Sequence, residues 1–170
     1  MNLKKERRLE NMFDFLKKSK FEVVSPASGI LKNLTEVPDE TFSSKCLGDG
    51  FAIEPSTGEV YSPVEGKITM IFETLHAVGL KCNNGIEVLL HIGIDTVTLK
   101  GEGFQVFVTT GQKVKAGDLL IKFDLETIKN KVPSTDIIVV FTTGETCELM
   151  KHSQKVANEE VDIVNIKQNK

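Results

Sequence analysis

The spacing of apolar side chains changes once along the chain, near Phe21. In MNLKKERRLENMFDFLKKSK, Leu9, Met12, Phe13 and Leu16 fall on one helical face with Lys and Arg elsewhere, which predicts an amphipathic or flexible N-terminal segment over residues 1–20. From Phe21 to Lys170 the runs become short and rich in Val, Ile and Thr. Turn signals cut them at Ser25-Pro26, Pro38-Asp39, Gly48-Asp49-Gly50, Ser56-Thr57-Gly58, Asn84-Gly85, Gly101-Glu102-Gly103, Ala116-Gly117-Asp118 and Thr143-Gly144. That rhythm predicts a single all-β domain over residues 21–170, a sandwich or barrel, with DLETIKNKV (124–132) as a short helix or turn. SPASGILKNL (25–34) and SPVEGKITMI (62–71) repeat a Ser-Pro-x-x-Gly turn feeding an apolar strand, and KAGDLLIKF (115–123) is a third echo. Repeated turn-then-strand units suggest a pseudo-symmetric antiparallel architecture.

Asn84-Gly85, between HAVGLKC and IEVLLHIG, predicts a two-residue type I′ hairpin, because that turn needs positive φ at both central positions. In this register Val78 faces His91 and His76 faces Gly93, so the two histidines become diagonal neighbours on one face. Period two assigns Val88, Leu90, Ile92 and Ile94 to the core face, and Glu87, Leu89, His91, Gly93 and Asp95 to the other. Gly93 then leaves room beside the His91 ring, Asp95 adds a carboxylate, and Thr74 adds a hydroxyl beside His76. A histidine in a strand is usually structural, but two on one face with this company form a candidate site. His152, in KHSQ, reads as a surface residue.

Composition narrows the chemistry. The 170 residues are 40% hydrophobic and 26% charged, enough for one sizeable core. Residues 1–20 carry seven Lys/Arg against three Asp/Glu, so a net charge of −3 conceals an acidic body. An acidic body has no basic stripe to follow a phosphate backbone, which argues against nucleic acid. Cys46, Cys82 and Cys147 form no CxxC pair and read as reduced thiols, and no run approaches the roughly 18 apolar residues of a spanning helix. A cytoplasmic protein is expected. A metal site would need a third ligand, with Asp95 or Asp39 as the available carboxylates. Neither a GxSxG elbow nor a Walker A motif occurs. Phosphoryl carriage suits the pair: a neutral imidazole can attack phosphorus without a separate base, while a second imidazole donates to the phosphoryl oxygens.

Four stretches, FETLHA (72–77), LLHIGIDTVTLKGEGF (89–104), LGDGFAIEP (47–55) and SPVEGKI (62–68), closely resemble the glucose-type enzyme IIA of the bacterial phosphoenolpyruvate:sugar phosphotransferase system. The likeness runs from about Val23 to Ile166. It implies a compact antiparallel β-sandwich with a shallow depression, in which His91 accepts a phosphoryl group at Nε2 from the phosphorylated histidine carrier protein HPr. The group then passes to a cysteine of a sugar-specific enzyme IIB of the IIB/IIC permease. In the same resemblance His76 stabilises the bound phosphoryl, Thr74 orients His76, and Asp39 and Asp95 act electrostatically. Phe42, Cys46, Leu47, Phe72, Leu89 and Val97 occupy positions of an apolar ring that docks partners. No cofactor is implied and no metal is required, although His76 and His91 could hold zinc in a partner complex.

Departures from the better known enteric members, Leu89 and Gly79 in place of Phe and Glu40 and Thr41 in place of apolar residues, bear on regulatory partners rather than on transfer. A regulatory role through the phosphorylation state is compatible with the resemblance. Residues 3–18 have the apolar face and cationic flank for weak contact with a membrane surface. The rival reading, a biotinyl or lipoyl carrier, needs an exposed lysine at a hairpin tip beside methionine, and Lys81 near Asn84-Gly85 lacks that company. A regulator that kept the fold and lost transfer is opposed by the intact Thr74, His76 and His91.

Overall fold

The computed structural model describes residues 21–169, so the predicted N-terminal segment, with its membrane-surface face, lies outside the described residues. Thirteen short strands run antiparallel: β1 (Gly29–Asn33), β2 (Asp49–Pro55), β3 (Glu59–Tyr61), β4 (Gly66–Ile71), β5 (Ala77–Lys81), β6 (Glu87–Ile94) and β7 (Phe104–Val106), then β8 (Lys113–Val114), β9 (Leu119–Phe123), β10 (Ser134–Phe141), β11 (Thr146–Leu149), β12 (Lys155–Val156) and β13 (Val164–Lys167). One large sheet has the order β12-β1-β2-β10-β6-β5-β4-β8, accompanied by the sheets β3-β9-β7 and β11-β13. Two single-turn helices, α1 (Glu40–Ser43) and α2 (Leu125–Ile128), and 3₁₀ turns at Leu34–Glu36 and Thr96–Leu99 complete the fold. The all-β sandwich expected from the turn rhythm is therefore what forms.

The main core lies between the large sheet, which contributes Leu31, Phe51, Ile53, Leu80, Leu90, Ile92, Val139 and Phe141, and the three-stranded sheet, which contributes Val60, Ile121 and Phe123. A second, smaller core covers the outer face, where Leu34, Val37 and Phe42 pack on Ala52, Ile94, Ile138 and Val140. Having both faces buried explains the uninterrupted apolar run IIVVF of β10, in which alternate residues serve different cores. Ile94 departs from its expected face: Gly93 has a φ of +70° and the β6–β10 register shifts there, which moves Ile94 into the second core. Gly93 does not open space beside a ring either; a Cβ there would meet Thr96 Cγ2 at 2.5 Å and the Ser134 carbonyl oxygen at 3.0 Å.

The order of the large sheet is a palindrome about the β6–β10 pair. Both Ser-Pro turns close in the same way, with Ser25 Oγ donating to the Ala27 carbonyl and Ser62 Oγ to the Val64 carbonyl, each at 2.7 Å. Sequence reading missed a second repeat, since QKVKAGD (112–118) is matched by QKVANEE (154–160) and not by another Ser-Pro turn. These segments supply the edge strands β8 and β12, and their turns grip the Ser-Pro units equivalently: Gly117 N donates to Ser62 O at 2.8 Å, and Glu159 N to Ser25 O at 2.9 Å. Following the strand registers outward from the shared turns places Asp49 at the position equivalent to His76, and Val140 at that of His91.

Candidate active site

The β5–β6 hairpin differs from expectation by one residue. Gly85 N donates to Cys82 O at 3.0 Å and Cys82 N to Ile86 O at 2.8 Å, with Gly85 at a φ of +89°. This is a three-residue Asn83-Asn84-Gly85 loop, a type I turn closed by a glycine bulge, rather than a two-residue I′ turn. Ala77, not Val78, therefore faces His91, and Ile92 N donates to His76 O at 2.8 Å. Strict pleating would send the two histidines to opposite faces. They meet because the chain turns at FETL just before β5: Leu75 takes a φ of +59°, Leu75 N donates to Phe72 O at 2.8 Å, and Phe72 N donates to Ala77 O at 3.0 Å. The His76 and His91 rings end 4.8 Å apart between centroids and nearly perpendicular, at 84°.

Each ring is held differently. Thr74 Oγ1 lies 2.6 Å from His76 Nδ1, and Phe72 stands against the same ring at 5.4 Å. If the hydroxyl donates to Nδ1, the neutral His76 ring carries its proton on Nε2, free to donate into the site. His91 has no side-chain tether. Its Nδ1 is buried, the Gly93 backbone is the hydrogen-bonding group that acts on the ring, and the ring rests on Phe42 at 4.9 Å. Burial, reinforced by the neighbouring His76, lowers the His91 pKa to about 4, against weaker raising influences from the Gly93 backbone and Asp39. Burial also lowers the His76 pKa. His76 is only 5% exposed, whereas His91 keeps an open edge and is nevertheless perturbed strongly. The amount of protein around a ring sets its desolvation, while exposure reports only whether one edge meets water.

The two rings form the floor of a depression of about 320 Å³. Asp39, Phe42, Leu47, Phe72, Leu89, Asp95 and Val97, all expected at the site, line it. Thr41, Ile94 and Thr96 line it as well and were not foreseen. Ile94 and Thr96 arrive only because Gly93 and Asp95 adopt left-handed backbone, with φ of +70° and +59°, and no local sequence signal announces that. Asp39 does double duty: its carboxylate caps α1 by accepting from Thr41 N at 2.9 Å, the ordinary job of an aspartate after proline, while it also acts electrostatically on His91. Leu47 and Val97 are exposed at 41% and 52%; Phe72 and Leu89 are half-buried, and Phe42 is 7% exposed. Cys46 is exposed, its thiol donating to Thr41 O at 3.1 Å, but lies outside the depression. His152 is a surface residue, as expected, held by Glu36 at 2.7 Å.

Larger cavities, about 440 and 530 Å³, flank Cys82 and Asn83 at the other end of the hairpin. Burial holds the Cys82 thiol up at about 11, so no activated nucleophile faces them. Among the described residues no three His, Cys, Asp or Glu side chains converge as metal ligands. Zinc at the histidine pair would need ligands from another molecule.

A neutral, desolvated imidazole beside a second imidazole, in a shallow apolar depression, has the chemistry to accept a phosphoryl group without a separate base. The family described as "phosphoenolpyruvate-dependent sugar phosphotransferase system, EIIA 1" matches residues 21–147. The chain belongs to that family. It is 48% identical over 135 residues to the PTS system glucose-specific EIIA component of Bacillus cereus, a match covering 79% of this chain and 82% of that protein. The corresponding component of Bacillus anthracis is 49% identical over 129 residues, covering 76% and 78%. Among solved structures, the glucose permease IIA from Mycoplasma capricolum superimposes with a TM-score of 0.79 at 43% identity, over 84% of this chain and 94% of that one. EIIA components are phosphotransferases that carry phosphoryl groups between HPr and EIIB, and this EIIA chain serves sugar uptake in that capacity. No helix among the described residues is long and apolar enough to cross a membrane.

Proposed function

We propose that His91 is the phosphoryl acceptor of this EIIA, reacting through Nε2. The observation that supports this is the burial of His91 Nδ1, which leaves Nε2 as the ring atom available to the depression. In the neutral ring the proton resides on the enclosed Nδ1 and the lone pair on Nε2. That lone pair attacks the phosphorus of the phosphohistidine on HPr, the P–N bond to HPr breaks, and the departing imidazole keeps the bonding electrons and leaves neutral, its other nitrogen already carrying a proton. The His76 Nε2–H donates to the phosphoryl oxygens, and Thr74 holds His76 in the tautomer that allows it. A cysteine thiolate of EIIB then attacks the same phosphorus, regenerating neutral His91. Asp39 and Asp95 crowd a group bearing roughly −1.5 to −2 charge and favour its departure.

Both partners must approach the same face, because phosphorus has to come within bonding distance of one nitrogen. Leu47, Phe72, Leu89 and Val97 give them an apolar rim, with Cys46 just outside it. The glucose-specific relatives favour an EIIB/EIIC permease of the glucose type, acting at the cytoplasmic side. The test is to incubate the chain with phosphoenolpyruvate, enzyme I and HPr and to measure intact mass. One acid-labile phosphoryl adduct is expected, absent in His91→Ala; His76→Ala should still load but pass the group on poorly. Loading of His91→Ala at the parental level would refute the assignment.

A further inference from the structure

Three lysines stand side by side on the large sheet, toward the turn end of the β5–β6 hairpin. Lys113 of β8 faces Lys67 of β4, and Lys67 faces Lys81 of β5. All three are exposed, and of the three only Lys81 has an acidic partner among the described residues, Glu87 at 3.0 Å. Like charges directly opposite one another repel, so the row costs stability, and it does so in a body that is otherwise acidic. The fold does not ask for it. By the palindromic register the equivalent row is Lys155, Ile30 and Glu54, a cation, an apolar residue and an anion. Guarding a sheet edge accounts for one lysine on each side, Lys113 on β8 and Lys155 on β12. Lys67 and Lys81 lie on interior strands, where there is no edge to guard.

The row sits on the same face as the histidines. Ile68 and Leu80 point into the main core, which places Lys67 and Lys81 on the outer face that carries Leu89 and His91. Strand spacing puts the Lys81 backbone roughly 14 Å from that of His91, and that of Lys67 roughly 16 Å away. Between them the surface is apolar: Leu89 faces Gly79, and Gly79 faces Met70, which is 49% exposed. A partner covering about 800 Å² centred on His91 extends roughly 16 Å in every direction, and so reaches the lysines. Lys67, Lys81, Thr69 and Thr110 also line the cavity of about 530 Å³, a recess for a carboxylate side chain. The face is negative at one end, where Asp39 and Asp95 flank the histidines, and positive at the other. A phosphoryl group on His91 adds about −1.5 to −2 at the negative end, so the contrast is greatest in the loaded chain, the form that meets EIIB. We propose that Lys67, Lys81 and Lys113 form a docking flank for carboxylates of EIIB, which sets the orientation of EIIB over the loaded His91. This rests on His91 being the acceptor.

Rapid-quench transfer from the phosphorylated chain, over a range of EIIB concentrations at low and high salt, gives a saturating rate and a half-saturation concentration. Loading from phosphorylated HPr is measured in the same way. Lys67→Glu makes the row alternate in sign and should melt at or above the parental temperature; a lower melt would contradict the repulsion from which the role is argued. Its half-saturation for EIIB should rise roughly threefold to tenfold at low salt and converge on the parental value at high salt, with the saturating rate kept within about twofold. Its half-saturation for HPr should move by less than about twofold. Lys67→Gln, which only removes the charge, should show a smaller rise in the same direction. An unchanged half-saturation for EIIB would overturn the flank, and so would an equal rise for HPr. Flotation with vesicles of anionic lipid addresses the other surface these lysines fit: binding that is lost in Lys67→Glu while its EIIB kinetics stay parental would assign the row to a membrane and overturn the proposal. A label mapping away from His91 in the parent would remove the acceptor assignment and the flank together; a label on His91 with parental EIIB half-saturation in Lys67→Glu removes the flank alone.

Discussion

Keeping His91 neutral inside the protein has a cost that appears as acid sensitivity. The folded ring has a pKa of about 4, against 6.5 for an ordinary histidine. Each pKa unit between the folded and unfolded ring is worth about 1.36 kcal/mol, so the span amounts to about 3 kcal/mol. The sign follows from proton counting. Between pH 6.5 and about 4 the unfolded ring binds a proton that the folded ring refuses, so stability falls as the pH drops through this window and levels off below it. Above 6.5 the folded protein pays no such penalty. His91→Gln removes the titration while keeping a polar side chain of similar reach. Urea unfolding of parent and variant at pH 7 and about pH 4.5 isolates the contribution, because the carboxylates whose pKa values are lowered, such as Glu36 and Asp49, are common to both proteins. The parent should lose on the order of 2 kcal/mol more than the variant over that interval. Parallel losses would refute the claim that His91 is held neutral by burial, and with it the basis of its proposed attack without a base.

Thr74→Val removes the hydroxyl that orients His76 and should leave loading from HPr near the parental rate while slowing delivery to EIIB by up to roughly tenfold, the worth of one net hydrogen bond; equal slowing of both steps would contradict the division of labour. Gly93→Ala forces a side chain into left-handed backbone and against Thr96 and Ser134, and should lower stability by about 1–3 kcal/mol in thermal unfolding.

How much of this was legible in the residues can be judged from the hairpin. Asn84-Gly85 marked the turn and brought the two histidines to one end of the sheet, but an Asn-Gly pair serves a two-residue loop and the last part of a three-residue loop equally well. The register slipped by one as a result, and the histidines met for a reason that pleating alone does not provide, the left-handed Leu75. The Thr74–His76 pairing survived because both residues belong to one tight turn, where separation in sequence nearly fixes separation in space. Phe72 shows the opposite case: it shares strand parity with Ile68 and Met70, which by pattern alone points it to the core, but a bulge between Ile68 and Met70 breaks that parity and leaves Phe72 half-buried at the site. Phe42 could not be separated from true rim residues by pattern, because the second core that encloses it is assembled from strands distant in sequence. The all-β class needed none of this detail, since it follows from run length and turn chemistry alone.

The palindromic sheet bears on loading stoichiometry. His91 faces Ile138, and Leu89 faces Val140, so the residue equivalent to His91 lies diagonally across the central strand pair, on the same outer face and roughly 7–8 Å away. A histidine there could accept a second group of about −1.5 to −2 charge, and two such groups at that distance would repel by roughly 1–2 kcal/mol even in a watery setting. Val140 is instead closed into the second core, and Asp49, at the position equivalent to His76, is committed to Gly50 N, Cys147 N and Lys45. A backbone frame that repeats itself about its central strand pair thus carries the histidine pair on one side only, and the proposed loading is of a single phosphoryl group per chain.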